Sequence, residues 1–419
     1  MNRLPRALRF LTALLAGTLA ACAALPPRAA TATHAMPPAP VLLVSIDGFR
    51  ADYLDRGRTP HLARLAREGV HARWMNPSYP SLTFPNHYTL VTGLRPDRHG
   101  IVHNTIVDAA LGTFRLSDAQ AVSKAGWWGG EPIWVTAERA GLPTATLFWP
   151  GSEAAINGVR PARWTPYDDR LPSAARLDTV LAWLAEPPAT RPRLATLYFS
   201  ELDHVAHDFG PDAPEVDRTL KDLDAQVGRL LRGLEARGLR DSVNLVIVSD
   251  HGMATVTRQT TLALEDLVEP SDAVAVHWGE VLGFAPRAGR EQAARARLLG
   301  RHSGYECWDK QRMPARWHYG THPRIPPIVC QMDVGWTAIP RERLAQQAPG
   351  VTRGAHGFDP AAPEMRALFI ADGPAFARGV ELPPFDNVDV YPLLAHLLGV
   401  APQANDGDPA TLRPALGAP

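Results

Sequence analysis

Val41-Leu-Leu-Val-Ser-Ile-Asp47-Gly48 is a continuous apolar run that breaks into a carboxylate and a glycine. The same pattern recurs at Thr144–Pro150, Leu194–Asp203, Asn244–Gly252 and Ala367–Gly373. Near-continuous apolar runs of this length suit strands covered on both faces rather than strands with one wet face. Amphipathic patterns stand between them. In Ala213–Gly238, residues Val216, Leu220, Leu223, Val227, Leu230, Leu231 and Leu234 fall on one helical stripe, with Pro214 near its start and Gly238 at its end. Thr59–Gly69 and Asp386–Gly399 read as shorter helices. Strand alternating with helix predicts an α/β fold, a mostly parallel sheet sandwiched by helices.

From about 256 to 350 the pattern changes. Short strands at Ala273–Trp278 and Val281–Pro286 precede one helix at Arg290–Leu299 and a loop-rich stretch of Trp, Tyr, Pro and Cys. This predicts a smaller inserted α+β subdomain on the sheet edge, within a catalytic domain spanning 41–419.

The 419 residues are 45% hydrophobic, ample for a large core, which excludes general disorder. Lys+Arg and Asp+Glu are 43 each, so no global positive field draws the chain to nucleic-acid duplexes. Arg3, Arg6 and Arg9 precede the apolar run Leu11–Ala21, which is too short for a bilayer span of roughly 20 residues but suits a signal peptide over 1–21. Leu19-Ala20-Ala21-Cys22 resembles the lipobox of bacterial lipoproteins, and the Ala/Pro-rich 22–40 stretch suits an extended tether. The alternative is an ordinary secretory signal with Cys22 incidental. The expectation is an exported, periplasmic protein held to a membrane by a lipid on Cys22. Cys307 and Cys330 then remain as an even pair in an oxidising compartment, where a disulfide is expected over two buried thiols.

Acidic residues and histidines collect where the strands end, and that edge is where open α/β sheets bind ligands. Asp47 ends the first run, Asp203 is followed four residues later by His207, Asp250-His251 ends another run, and His356 sits in a glycine-flanked loop. An Asp after a strand is most often a turn former, and fifteen His make chance spacings common. Together, however, three Asp and three His are enough oxygen and nitrogen ligands for two zinc ions. Thr83, two residues before Pro85, falls at a helix start, where alone it reads as a cap. Beside a dinuclear metal site it reads as a nucleophile.

These residues carry a resemblance. Ser45–Arg50, Thr83–Gly93, Pro96–Asn104, Tyr198–Gly210, Ser249–Met253 and Gly354–Gly357 match, in order, blocks of the nucleotide pyrophosphatase/phosphodiesterase family, part of the alkaline phosphatase superfamily. The likeness runs from about 40 to 400. It implies one zinc held by Asp203, His207 and His356, and a second held by Asp47, Asp250 and His251 that also binds the Thr83 hydroxyl. It implies that Asn104 holds a phosphate oxygen, and that Thr83 forms a threonyl-phosphate on the way to a nucleoside 5′-monophosphate. Phe84, Tyr167 and Tyr198 fall where nucleotide-cleaving members hold the base. Relatives that cleave lysophospholipids or choline phosphodiesters keep the same metals and are the alternative. A catalytically silent metal- or nucleotide-binding lipoprotein is a reading of another class. The sulfatase signature Cys-x-Pro-x-Arg and the Asp-Ser-Ala of alkaline phosphatases are absent. Oligomeric state is not legible.

The N-terminal reading predicts a mature chain that begins at a lipid-modified Cys22. Mass spectrometry of the protein extracted from membranes checks this, and an unmodified N-terminus beyond Cys22 would refute it.

Overall fold

The apolar runs become the buried centre of an eight-stranded sheet. In the computed structural model residues 39–417 are described; the export segment, Cys22 and the tether up to residue 38 lie outside the described residues. The strands are β1 (Val41–Ile46), β2 (Val70–Ala72), β3 (Thr144–Leu147), β4 (Arg163–Thr165), β5 (Leu194–Phe199), β6 (Asn244–Val248), β7 (Phe369–Asp372) and β8 (Val380–Leu382). Their order across the sheet is β8-β2-β7-β6-β1-β5-β3-β4. β1 sits between β5 and β6 with both pairings parallel, Val44 facing Leu197 on one side and Ile247 on the other. The sheet is mostly parallel, as expected.

β7 is the exception, antiparallel to β6 and β2. The cause is topological. Between β6 and β7 the chain makes a long excursion and returns to the edge it left, where the Ser249 amide donates to the Leu368 carbonyl at 3.0 Å. A strand starting there runs back down the sheet, because no crossover carries it to the other edge.

Helices cover both faces: α1 (Pro60–Glu68), α2 (Thr83–Thr92), α3 (Ser173–Leu184), α4 (Glu201–Phe209), α5 (Pro214–Glu235) and α6 (Val390–Leu398). Alternation along β1 explains its unbroken apolar run. Leu42, Val44 and Ile46 join the core formed with α1, α3 and α5, while Val41 and Leu43 join the core formed with α2 and α6. Every apolar residue of the stripe predicted on α5 is buried.

The excursion from β6 to β7 carries a five-stranded antiparallel sheet, in the order Ala273–His277, Val281–Pro286, Ile328–Met332, Tyr305–Asp309 and Gly300–His302, with helices at Leu264–Leu267, Glu291–Leu298 and Arg341–Gln346 and a core of its own. Its ends zip together as Ala254–Thr257 against Thr352–Ala355. That stem packs on α4. Cys307 and Cys330 face each other on adjacent strands and form a disulfide.

With the two cysteines separated by 23 positions in sequence, loop entropy predicts that the Cys307→Ala/Cys330→Ala variant loses about 3 kcal/mol of stability. Chemical denaturation measures it. Neither cysteine should take up an alkylating agent in the denatured, unreduced protein.

Candidate active site

The carboxyl edge of the sheet gathers the predicted residues. Asp47 follows β1, Asp250 and His251 follow β6, Asp203 and His207 lie one turn apart on α4 after β5, and His356 follows the Thr352–Ala355 strand. Two glycines permit this crowding. Gly48 has φ +68°, and a Cβ there would stand 3.2 Å from Asp203 atoms. A Cβ on Gly354 would meet the Ala206 carbonyl at 2.3 Å, so only glycine lets the stem lie close enough to α4 to bring His356 beside His207.

The six side chains form two groups, Asp203/His207/His356 and Asp47/Asp250/His251, and within each group the donor atoms lie within 4.8 Å of one another. In the first group the His207 and His356 Nε2 atoms are 3.1 Å apart, His207 Nε2 is 3.4 Å from Asp203 Oδ2, and His356 Nε2 is 3.6 Å from Asp203 Oδ1. In the second, His251 Nε2 is 2.9 Å from Asp250 Oδ2 and 3.6 Å from Asp47 Oδ1. Metal–nitrogen bonds of about 2.0–2.1 Å in a tetrahedron put donor atoms about 3.3 Å apart, which matches these spacings. Each ring is oriented from behind. Nδ1 of His207 donates to Gly354 O at 2.8 Å, that of His356 to Ser81 O at 3.0 Å, and that of His251 to Gly252 O at 2.9 Å. A carbonyl only accepts, so each Nδ1 carries the proton and each Nε2 presents a lone pair inward, the tautomer a metal needs.

The carboxylates tell the same story. Asp47 Oδ1, Asp203 Oδ1 and Asp250 Oδ2 are buried without a hydrogen-bond partner. Burial, then the neighbouring Asp250 and Asp203 carboxylates, push the Asp47 carboxyl well above its usual range. Unpartnered, mutually repelling acids in a buried site fit a cationic occupant. The residues present could hold a metal in each group.

Thr83 is the first residue of α2. The cap position belongs to Leu82, and the Thr83 hydroxyl makes no capping bond. It points instead to the second group, with Oγ1 3.3 Å from His251 Nε2. The Phe84 amide donates to Asn104 Oδ1 at 3.0 Å, so the Asn104 NH2 is the end left for a ligand. A cavity of about 380 Å³ opens here, bordered by Asp47, Thr83, Asn104 and His207 and walled by Phe84 and Tyr167. Tyr167 is 46% exposed at its mouth, and its hydroxyl donates to Ser200 Oγ at 3.2 Å. Tyr198 also borders the cavity, but its buried hydroxyl donates to Asp47 Oδ2 at 2.5 Å. The resemblance puts its ring beside the base; the ring lines the cavity while the hydroxyl is bonded to Asp47.

Sequence reading missed three residues. His87 donates from Nδ1 to Thr83 O at 2.9 Å, lies 3.3 Å from Asp250 Oδ2, and accepts the Ser45 hydroxyl at 2.8 Å through Nε2. It ties the start of α2 to Asp250, and its only sequence signal was the four-residue spacing from Thr83. Phe148 has φ +65°, a strained conformation for a bulky residue, and it turns the chain after β3 into the cavity wall. Glu153 lines the same cavity and accepts the Tyr167 amide at 2.9 Å.

Residues 41–359 match the family described as type I phosphodiesterase / nucleotide pyrophosphatase. An uncharacterized pyrophosphatase/phosphodiesterase of Schizosaccharomyces pombe is 37% identical over 379 residues, 88% of this chain and 78% of that protein. A venom phosphodiesterase of Crotalus durissus collilineatus is 37% identical over 396 residues, 91% of this chain but 47% of the venom protein, so the chain spans about half of that longer relative. Among solved structures, murine ectonucleotide pyrophosphatase/phosphodiesterase 5, an inactive threonine-to-alanine variant in complex with AMP, superposes with a TM-score of 0.85 at 32% identity, covering 90% of this chain and 100% of the murine one.

The crowding of carboxylates predicts opposite effects of Asp47→Asn in two states. In chelator-treated protein the substitution relieves repulsion and raises stability, on the order of 1 kcal/mol. In metal-loaded protein it lowers stability, because a ligand is lost. Melting curves with and without chelator check the change of sign.

Proposed function

The chain belongs to the type I phosphodiesterase / nucleotide pyrophosphatase family, and on that premise we propose that it hydrolyses nucleotide phosphodiesters and pyrophosphates to nucleoside 5′-monophosphates, using two zinc ions and a threonyl-phosphate intermediate. The observation that carries this reading is the Thr83 hydroxyl, aimed at one Asp/His group in a cavity bordered by the other. The murine relative supports it, since its inactive form is a threonine-to-alanine variant and it binds AMP.

Asp203, His207 and His356 would hold one zinc, and Asp47, Asp250 and His251 the other. Mixed imidazole and carboxylate donors suit that metal. Bound there, zinc supplies Lewis-acid polarisation of phosphate oxygens and makes a hydroxyl acidic enough to ionise near neutral pH.

The chain supplies the rest. Thr83 gives its hydroxyl proton to water and attacks phosphorus through Oγ while the P–O bond on the far side breaks, and the leaving group departs with the electron pair and is protonated by water where its basicity requires. Water then cleaves the threonyl ester from that vacated side and restores the hydroxyl. The Asn104 NH2 donates to a non-bridging phosphate oxygen as charge builds there. The start of α2, the positive end of its dipole, favours the phosphate beside Thr83. His87 keeps Thr83 and Asp250 in fixed relation. Phe84 and Tyr167 hold the base between aromatic faces, worth about 1–3 kcal/mol with little base preference. Glu153 beside Tyr167 is the feature that a choline phosphodiester would use instead, as cation and carboxylate. Lipid anchorage through Cys22 would place this hydrolysis outside the cytoplasm.

Thr83→Ala is expected to lower turnover of thymidine 5′-monophosphate p-nitrophenyl ester by several orders of magnitude while most of the metal stays bound, and Thr83→Ser to keep part of it. A phosphodiester chiral at phosphorus should be hydrolysed with net retention, because two in-line displacements each invert the centre. Inversion, or near-normal turnover by Thr83→Ala, would reject the covalent route. A panel that includes lysophospholipid and glycerophosphocholine separates nucleotide from lipid head-group substrates.

A further inference from the structure

Asn104, the proposed donor to a phosphate oxygen, sits in a bend of the chain. The His103 ring accepts the Thr105 amide through Nδ1 at 3.0 Å, so the side chain before Asn104 closes the backbone after it. That ring is itself held from outside. His277, from the excursion between β6 and β7, stacks on it with centroids 3.8 Å apart and planes 14° from parallel. Both rings are buried, and burial keeps both neutral, His277 being pushed down to about 4. Neutral rings stack without the repulsion that two imidazolium ions would bring.

The strand that carries His277 is shaped for this contact. Ala275 pairs with Phe284 but His277 pairs with Gly283, a register shift that marks a bulge between them. Bulges of this kind re-aim a side chain. Gly283 leaves the room, since a Cβ there would lie 2.4 Å from His277 Nε2. Nδ1 of His277 donates to the Val281 carbonyl at 3.1 Å and fixes the ring, while the buried Nε2 meets no partner. What the ring offers His103 is therefore its flat face, not a hydrogen bond. The same excursion grips the preceding residues. The Tyr319 hydroxyl donates to the Val102 carbonyl at 3.0 Å, and Arg324 donates to the Gly100 carbonyl at 3.0 Å. Asp97 accepts the amides of Gly320, Thr321 and His322 at 2.8–3.0 Å.

We infer that His277 and Tyr319 are positioning residues for the reaction: reaching across from the excursion, they fix His103 and Val102 and so hold the Asn104 amide at the place where a non-bridging phosphate oxygen gains charge. The inference rests on the proposed role of Asn104. Two other bonds reach Asn104 directly, from the Phe84 amide to Oδ1 and from the Leu116 amide to its carbonyl. They tie it to α2 and to the chain beyond it, and leave the approach through residues 100–103 to the excursion. A donor stabilises a transition state only from the right position, and a misplacement of about 1 Å can cost about 100-fold in rate. The excursion then serves the site at two points: its stem delivers His356, and its bulged strand sets Asn104.

A double-mutant cycle tests this, with the full-length metal-loaded protein and thymidine 5′-monophosphate p-nitrophenyl ester as substrate. His277→Ala is expected to lower kcat about tenfold or more, with KM within about threefold and metal content unchanged, because the Asn104 contact tightens only as charge develops. His277→Phe keeps the stacking face and should return kcat to within about threefold of the unaltered protein. In an Asn104→Ala background, His277→Ala should change kcat by less than about twofold, since the group it positions is gone. A further loss of about tenfold in that background, or His277→Phe no better than His277→Ala, overturns the inference and leaves the role of Asn104 standing. So does normal turnover by His277→Ala while Asn104→Ala is impaired. Normal turnover by Asn104→Ala overturns the role of Asn104 and this inference with it. No hydrolysis by the unaltered protein overturns the proposed function as well. Should circular dichroism show His277→Ala unfolded, Tyr319→Phe, which removes only the hydroxyl bonded to Val102, decides by the same cycle.

Discussion

Three carboxylates, Asp47, Asp203 and Asp250, are buried at one edge of the sheet, each with an oxygen that no hydrogen bond satisfies. Removing charges of one sign from water in one place costs several kcal/mol per ion unless an opposite charge compensates. The surroundings supply part of the compensation. The Gly48 amide donates to Asp250 Oδ1 at 3.2 Å, and the Tyr198 hydroxyl donates to Asp47. The remainder is what a cation held by the converging donor atoms would supply. Much of the local architecture serves that requirement: a glycine at 48 for close approach, carbonyls behind each imidazole, and a stem pressed onto α4.

Rigidity at this edge comes from the two-sided core. β1, β5 and β6 are buried along their whole lengths, so the residues that follow them leave the sheet from fixed positions. Asp47 and Asp250 emerge from neighbouring strands in register, and α4 starts immediately beyond β5. His356 comes from much farther along the chain and depends on the Ala254–Thr257 and Thr352–Ala355 pairing to reach the site. The excursion between β6 and β7 therefore completes one of the two Asp/His groups.

Much of this was legible in the sequence. The strands and the stripe on α5 are local patterns, set by how far each residue turns from the last, and such periodicities survive folding. The pair Cys307 and Cys330 was legible because only three cysteines exist. The ligand types could be read from residues at strand ends, but their division into two groups came with the family resemblance. Asp203 and His207, four residues apart on one helix, and the adjacent Asp250 and His251 declare themselves as neighbours.

What only the tertiary structure decided lies in contacts between distant segments. The antiparallel course of β7 follows from where the excursion returns, which no local pattern records. Tyr198 presents an aromatic ring in either role, and only its 151-residue-distant partner Asp47 shows that the hydroxyl is occupied. Phe148 and Glu153 carry no motif, because their meaning lies in which cavity they border. Sequence by itself determined element types and the chemistry available, since those are properties of residues and short spacings. Packing decided which groups face one another across the folded chain, since distance in space is set by the whole core.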